Sequence, residues 1–338
     1  MTILSGTALL LVTLAAFSLF SMKMPKGQAA MSGLADAAVA TFLVEAILNY
    51  IAGDIFGMAF LKQVGITSGQ MGGIAAAIMV AINMGVSPVL AVCGGVAAGG
   101  FGILPGFIAG YVVGFVAPII EKKLPEGPNV IVGALVISAL SRGIAFFVDP
   151  GVTKILTIIG KTISQATTTS PILMGFLLGG IMKMICTSPL SSMALTAMLG
   201  LKGLPMGIAA IACFGGSFTN GMIFKRLHFG NNGNVIAVMM EPLTQADIVT
   251  SHPIPIYFSN FFGGGMSGVA AALLGIVNNA PGTASPIPGM LAPFAFNSPA
   301  KVVIALVIAA VCGILAGFVG SIVFKGFDEG KPTPKVSA

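Results

Sequence analysis

The chain has 338 residues and a mass of 34.1 kDa; 56% of its residues are hydrophobic, 8% are charged, and its formal net charge is +6. Soluble proteins carry about 25% charged residues, and no water-facing surface can hide this much hydrocarbon. The composition excludes a soluble fold, a disordered chain, a disulfide scaffold and a nucleic-acid-binding domain.

At about 20 residues per crossing, the apolar residues suffice for roughly 8–10 transmembrane helices. The expected fold is an all-α polytopic membrane protein with re-entrant hairpins and an amphipathic interfacial helix. Basic residues gather at Lys122-Lys123, at Lys225-Arg226, and in the tail at Lys325, Lys331 and Lys335. These are candidate cytoplasmic positions. No basic tract carries interleaved aromatics, so nucleic acid is not an expected partner. Cys93, Cys186, Cys213 and Cys312 sit in apolar runs without a C-x-x-C pair and are read as buried, inert thiols.

In chain order, residues 3–22 are apolar and are followed, not preceded, by Lys23 and Lys26. This reads as a retained first membrane helix and not a cleaved signal. Residues 29–53 read as a helix carrying Asp36, Glu45 and Asn49. Residues 63–120 contain no Asp, Glu, Lys or Arg and predict two helices broken near Ser87-Pro88. Gly95 and Gly99, and then Gly106, Gly110 and Gly114, recur at four-residue spacing, which lets helix backbones approach closely. A helix over 129–148 carries Arg142. Over 150–169, Ile155, Ile158, Ile159 and Ile163 share one face, which predicts a helix lying in the interface. A helix over 171–186 carries Lys183, and 203–224 and 302–324 are further spans.

From 241 to 300 the chain stays apolar but is crowded with Pro, Gly, Asn and Ser, as in HPIPIYFSN (252–260), NNAPGTASPIPG (278–289) and FNSPA (296–300). Proline breaks the helical ladder, and in a bilayer irregular backbone survives only inside protein or beside a wet cavity. These stretches are therefore candidates for re-entrant loops at a substrate site. For 278–289 an ordinary extramembrane loop is an equal alternative. Thr187-Ser188-Pro189 with Ser191-Ser192, and Gly215–Gly221, read as hairpin tips or as plain interhelical turns.

Enzyme motifs are missing. Gly160-Lys161-Thr162 lacks the first glycine of a phosphate-binding loop, and there is no H-E-x-x-H or G-x-S-x-G. No catalytic residues, metal or cofactor are expected. What remains are ionisable residues in apolar surroundings, namely Asp36, Glu45, Arg142, Lys183, Glu241 and Asp247. Each costs roughly 2.5–3.5 kcal/mol at a helix centre on insertion scales. They read as buried ion pairs, such as Arg142 with an acid, or as cavity-lining groups. Glu241, followed by Pro242, Thr244, Gln245 and Asp247, is the sharpest candidate, because a carboxylate at a proline-broken helix end accepts hydrogen bonds from a polyol. His252, in a polar knot with Tyr257, Ser259 and Asn260, is a candidate donor to a hydroxyl; a structural histidine is the alternative. His228, beside Lys225 and Arg226, reads as a loop residue.

The run PILMGFLLGGIMKMICTSPLSSMALTAMLGLKGLPMGIAAIACFGGSFTNG (171–221), with the preceding DPGVTKILTIIGKTISQAT (149–167) and the glycine-rich 94–120 region, resembles a known family. It is similar to the membrane permease (EIIC) component of bacterial sugar phosphotransferase systems, in the perfringolysin-regulator-like branch. The resemblance implies a multi-pass homodimer in the bacterial inner membrane, with part of each subunit forming the dimer contact. The other part, with two re-entrant hairpins, moves a sugar or polyol by an elevator-like shift. Divided this way, 1–148 is the membrane scaffold and oligomerisation part, 149–170 an amphipathic connector, 171–324 the transport part and 325–338 a polar tail. Related permeases bind sugar through a Glu-Pro motif at a hairpin tip, which Glu241-Pro242 matches. The chain departs from the branch's Gln-x-Pro-Asn pattern there, and it lacks the Gly-Ile-Thr that precedes the Glu in other sugar permeases. The expected substrate-binding set is Glu241, Pro242, Gln245, Asp247 and His252, with Asn220 and Ser188 from opposing hairpins. Separate cytosolic phosphocarriers (IIA/IIB-like) would supply any phosphate. Two other functions share the same residues. One is a permease-fold membrane sensor or regulator. The other is an ion-coupled transporter of small organic acids using Asp36, Glu45 or Asp247.

Overall fold

The computed structural model describes residues 19–125, 127–188 and 192–328, with scattered positions before residue 19. The helix expected over 3–22, the lysines Lys331 and Lys335, and most of the Pro189–Ser191 stop lie outside the described residues. Among those described, the chain is helical without a named strand. The all-α polytopic reading holds. By length and composition, five of these helices can cross a membrane, or six if a bent pair is one span. Further apolar residues lie in helices too short to cross.

The chain divides into two compact units. One comprises residues 11–160 and 193–200; the other comprises 1–10, 161–192 and 201–338.

In the first unit, α1 (Gly27–Ala38) runs on through two π-helical stretches, Val39–Leu43 and Ala46–Ile55. It is followed by α2 (Ala59–Gln70), α3 (Gly72–Asn83), α4 (Pro88–Ala97), α5 (Ile103–Lys123) and the first part of α6 (Pro128–Thr169); α8 (Ser192–Met198) falls at the unit's second segment. The charge-free stretch therefore holds four helices and not two. A 58° bend between α2 and α3 adds one break, and the left-handed Gly100 adds another. Small residues set the spacing. A Cβ at Gly106 or Gly110 would strike the α3 backbone at Gly73 or Ala77, and one at Gly95 would strike Ile78. Ala81, Val86, Leu90, Ala91, Val113, Ala117 and Ile137 form the core between these helices.

Helix α6 joins the expected span over 129–148 to the 150–169 segment. It is one continuous helix through Pro150, not a span followed by a separate segment. Its isoleucines do not share one environment, since Ile155 and Ile158 are exposed while Ile163 is fully buried.

In the second unit α9 (Leu204–Arg226) is central, with 83% of its apolar window buried. Around it lie α7 (Pro171–Thr187), α10 (Asn232–Met240), α12 (Pro253–Leu273), the short α13 (Pro286–Leu291) and α14 (Pro299–Val323). The outer α14 is only 28% buried, as an apolar helix facing lipid would be. Glycines again allow contact. Gly175 and Gly179 of α7 meet Gly268 and Gly264 of α12, and Gly313 of α14 meets Gly215 of α9.

Two sequence expectations change here. Gly215–Gly221 is not a hairpin tip; it lies inside unbroken α9, where its glycines admit neighbouring helices. The segment HPIPIYFSN opens α12, because Pro253 and Pro255 occupy the first turn, where a missing N–H costs nothing. The irregular 276–285 segment stays non-helical and is largely buried. Asn278 donates to Thr283 Oγ1 at 2.8 Å and accepts from the Ala280 amide at 2.9 Å. Both side chains are fully buried, so the loop satisfies its own polar groups inside the protein.

Candidate functional site

The chain reverses at Glu241-Pro242. Helix α10 begins with a capping box in which Asn231 and Asn234 exchange side-chain and backbone bonds. The Asn234 amide then donates to Gln245 Oε1 at 2.6 Å. A bond between residues 234 and 245 places the start of α10 beside the turn that follows Pro242, so the segment folds back as a hairpin with Glu241 at its tip. Proline enforces the stop by removing a donor. Residues 242–245 form a 3-10 turn, and α11 (Ala246–Ser251) follows. At about 1.5 Å per residue, neither arm is long enough to cross a bilayer.

Glu241 is largely buried and belongs to none of the span-length helices. Its Oε1 accepts from the Leu243 amide at 3.4 Å, and its Oε2 accepts from Ser285 Oγ at 3.2 Å. Burial lifts its carboxyl above the usual carboxylate range, while the Leu243 amide, the Ser285 hydroxyl and the charge of Lys183 act the other way. Ser285 comes from the buried 276–285 loop. That loop is also pinned by Ser192, whose hydroxyl donates to the Ala284 carbonyl.

Lys183, in α7, is fully buried. Its stem runs through a slot made by two glycines: a Cβ at Gly216 would strike its Cγ, Cδ and Cε, and a Cβ at Gly264 would strike its Cβ. Its charge acts on Glu241 and on the thiols Cys186 and Cys213. The Cys213 thiol donates to the Met182 carbonyl at 3.9 Å. Yet Lys183 Nζ has no hydrogen-bond partner among the described residues, and it makes no direct ion pair with Glu241. Two opposite charges thus lie within electrostatic reach in one buried polar cluster without touching.

The other expected residues separate into groups. Gln245 shapes the hairpin: it accepts from Asn234, and its own amide closes on Thr244 O at 2.8 Å. Pro242 is buried at the tip. The side chain of Asp247 lies outside those described. Ser188 ends α7 and donates to Ile185 O at 2.8 Å. Asn220 is fully buried within an interhelical chain. It accepts from Asn260 at 2.6 Å and donates to Thr187 Oγ1 at 3.3 Å, joining α9, α12 and α7. His252 stacks on Phe229 with ring centroids 4.1 Å apart, beside the apolar cluster of Ile223, Phe224, Val238 and Ile248. His228 lies in the turn after α9 with φ 56°.

Arg142 does not meet an acid in the described structure. It donates to the carbonyls of Ala97 and Gly99 at 3.2 and 2.6 Å and covers the Phe101 ring. Asp36 accepts from Asn83 at 3.2 Å. Lys183, Ser192 and Ser285 are the residues that sequence reasoning left out of the site. Lys183 gave a signal, as a cation inside an apolar helix. The serines lie in stretches read as a hairpin tip and a candidate re-entrant loop, but the contacts of Ser192 with the Ala284 carbonyl and of Ser285 with Glu241 depend on packing between distant segments.

The chain matches the family described as Phosphotransferase system, EIIC, over residues 28–332. No curated protein and no solved structure matches it. A set of apolar, span-length helices, within a match covering nearly the whole chain, leads to one conclusion: this protein belongs to the EIIC family, the membrane sugar-permease component of phosphotransferase systems.

Proposed function

We propose that this permease takes its sugar or polyol at the Glu241-Pro242 tip, between the Glu241 carboxylate and the donors and acceptors around it. A sugar hydroxyl both donates and accepts. Glu241 offers acceptors and Lys183 offers donors, while the hydroxyls of Ser192 and Ser285, already donating to Ala284 and Glu241, keep acceptor lone pairs. The observation that carries this reading is a largely buried carboxylate within electrostatic reach of a buried ammonium that has no hydrogen-bond partner among the described residues. Leaving polar groups unsatisfied inside apolar surroundings costs free energy, and a bound hydroxylated ligand removes that cost.

Gln245 and the Asn231–Asn234 box hold the tip in position, and Asp247 stands next to it in sequence. Transport follows alternating access of the elevator kind: the unit that carries Glu241 moves with its ligand, and the unit built on α1–α5 supplies a scaffold and a homodimer contact in the bacterial inner membrane. Separate IIA- and IIB-type phosphocarriers deliver phosphate to the sugar.

The test is a sugar and polyol panel on the purified protein by thermal shift, followed by flux in proteoliposomes. Glu241→Ala should abolish binding and uptake while the protein keeps its helical content and monodisperse elution. Sugar affinity unchanged by the substitution would overturn the site. Ligand binding with no flux, even with phosphocarriers added, would make the protein a sensor and not a carrier.

A further inference from the structure

We infer that the ligand carries a carboxylate that Lys183 receives, so the substrate class is the sugar acids, not neutral sugars. The inference rests on the Glu241 site proposed above and adds the ligand's charge. Three observations support it. First, Lys183 Nζ is fully buried and has three donors with no acceptor among the described residues. Second, the side chain is held in place: Gly216 and Gly264 form a slot around its stem, which fixes where the ammonium sits. Third, the neighbouring acid is engaged elsewhere. Glu241 accepts from Leu243 and Ser285, and it forms no direct pair with Lys183.

A neutral polyol would place hydroxyls against the ammonium but leave its charge uncompensated where water is excluded. A hydroxyl also brings a proton of its own to a site already rich in donors. A carboxylate brings acceptors only, with about four lone-pair positions, and supplies the missing charge. A phosphate dianion suits the cluster less well, because it would set two negative charges before one cation with Glu241 nearby. The hydroxyls on the remainder of the ligand then face Glu241, whose acceptors a carboxylate would avoid. The two charges therefore also fix the ligand's direction, with the acid end at Lys183 and the polyol end at Glu241.

The experiment uses the full chain in detergent and compares probes on one carbon skeleton, glucuronate against glucuronamide and glucose, with gluconate against sorbitol as a second series. Affinity is read by calorimetry or thermal shift. Expected is roughly tenfold to hundredfold tighter binding of the acids, the size of one charge-assisted hydrogen bond. Lys183→Met should remove that preference, and Lys183→Arg should keep part of it. The amide comparison needs only the wild-type chain, so a variant that fails to fold does not block the result. Glucose or sorbitol binding as tightly as its acid would overturn the inference and leave the permease reading standing. Binding of neither class would remove both.

Discussion

The two units treat their cations in opposite ways. In the first, Arg142 caps the end of α4 through the Ala97 and Gly99 carbonyls, and Lys26 donates to the Met84 carbonyl at 2.6 Å just after α3. Both cations complete helix C-termini, where orphan carbonyls and the negative end of the dipole favour positive charge. In the second unit Lys183 is fully buried, whereas Arg142 and Lys26 are exposed, yet its ammonium finds no acceptor among the described residues. A charge inside an apolar helix is therefore not by itself a mark of function. What separates the two regions is whether the protein satisfies the charge.

The contrast is sharpest for stability without ligand. Lys183→Met removes a buried ammonium that lacks a hydrogen-bond acceptor among the described residues and should stabilise the free protein, by at most about 2.5–3.5 kcal/mol on insertion scales because its attraction to Glu241 is lost with it. A fall in melting temperature would mean that Lys183 is already satisfied in the free protein. Next in size is the slot around it. A Cβ on Gly264 would lie 2.6 Å from the Gly179 carbonyl oxygen and collide with Lys183 Cβ. Gly264→Ala should therefore cost about 1–3 kcal/mol through overpacking, read as a lower melting temperature. Full stability would show that α7 and α12 can separate easily. For Arg142→Met the direction reverses relative to Lys183. The loss of two carbonyl bonds and of the contact with Phe101 should destabilise by about 1–3 kcal/mol and leave ligand preference untouched.

The smallest effect is a titration. The unfolded Glu241 carboxyl titrates near about 4.3, and in the folded protein its value is raised. Between these values the folded state holds a proton that the unfolded chain has lost. Stability of the free protein should therefore fall as pH rises through that window. Ligand affinity should move the other way, because it requires the carboxylate. Glu241→Gln should flatten both trends, and a profile indifferent to the substitution would assign the titration to another group.

Much of the architecture could be read directly from the residues. The spans at 203–224 and 302–324 became α9 and α14 because long charge-free apolar runs have few ways to satisfy their backbone in lipid other than a helix. The glycine spacing over 106–114 became a close helix contact for the same local reason. The Glu241-Pro242 break was legible because proline acts on its own turn. Misreadings arose where local signals depend on position within an element. Pro253 and Pro255 read as breakers but open α12, where their missing donors are not needed. The polar residues of 215–221 read as a tip, but Thr219 and Asn220 bond across to other helices, so α9 runs unbroken.

Composition, hydropathy and proline placement by themselves determined that this is a helical membrane protein with an acidic break at Glu241, because those properties act within a few residues of chain. Tertiary structure alone decided which polar groups are satisfied. Asn220 belonged to the expected substrate-binding set and Arg142 was read as half of an ion pair with an acid, and only packing gave them partners in α12 and at the end of α4. The same packing brought Ser285 to Glu241, across 44 residues of chain, and left Lys183 without an acceptor among the described residues. A hydrogen bond depends on distance in space, and the order of residues along a chain does not specify that distance.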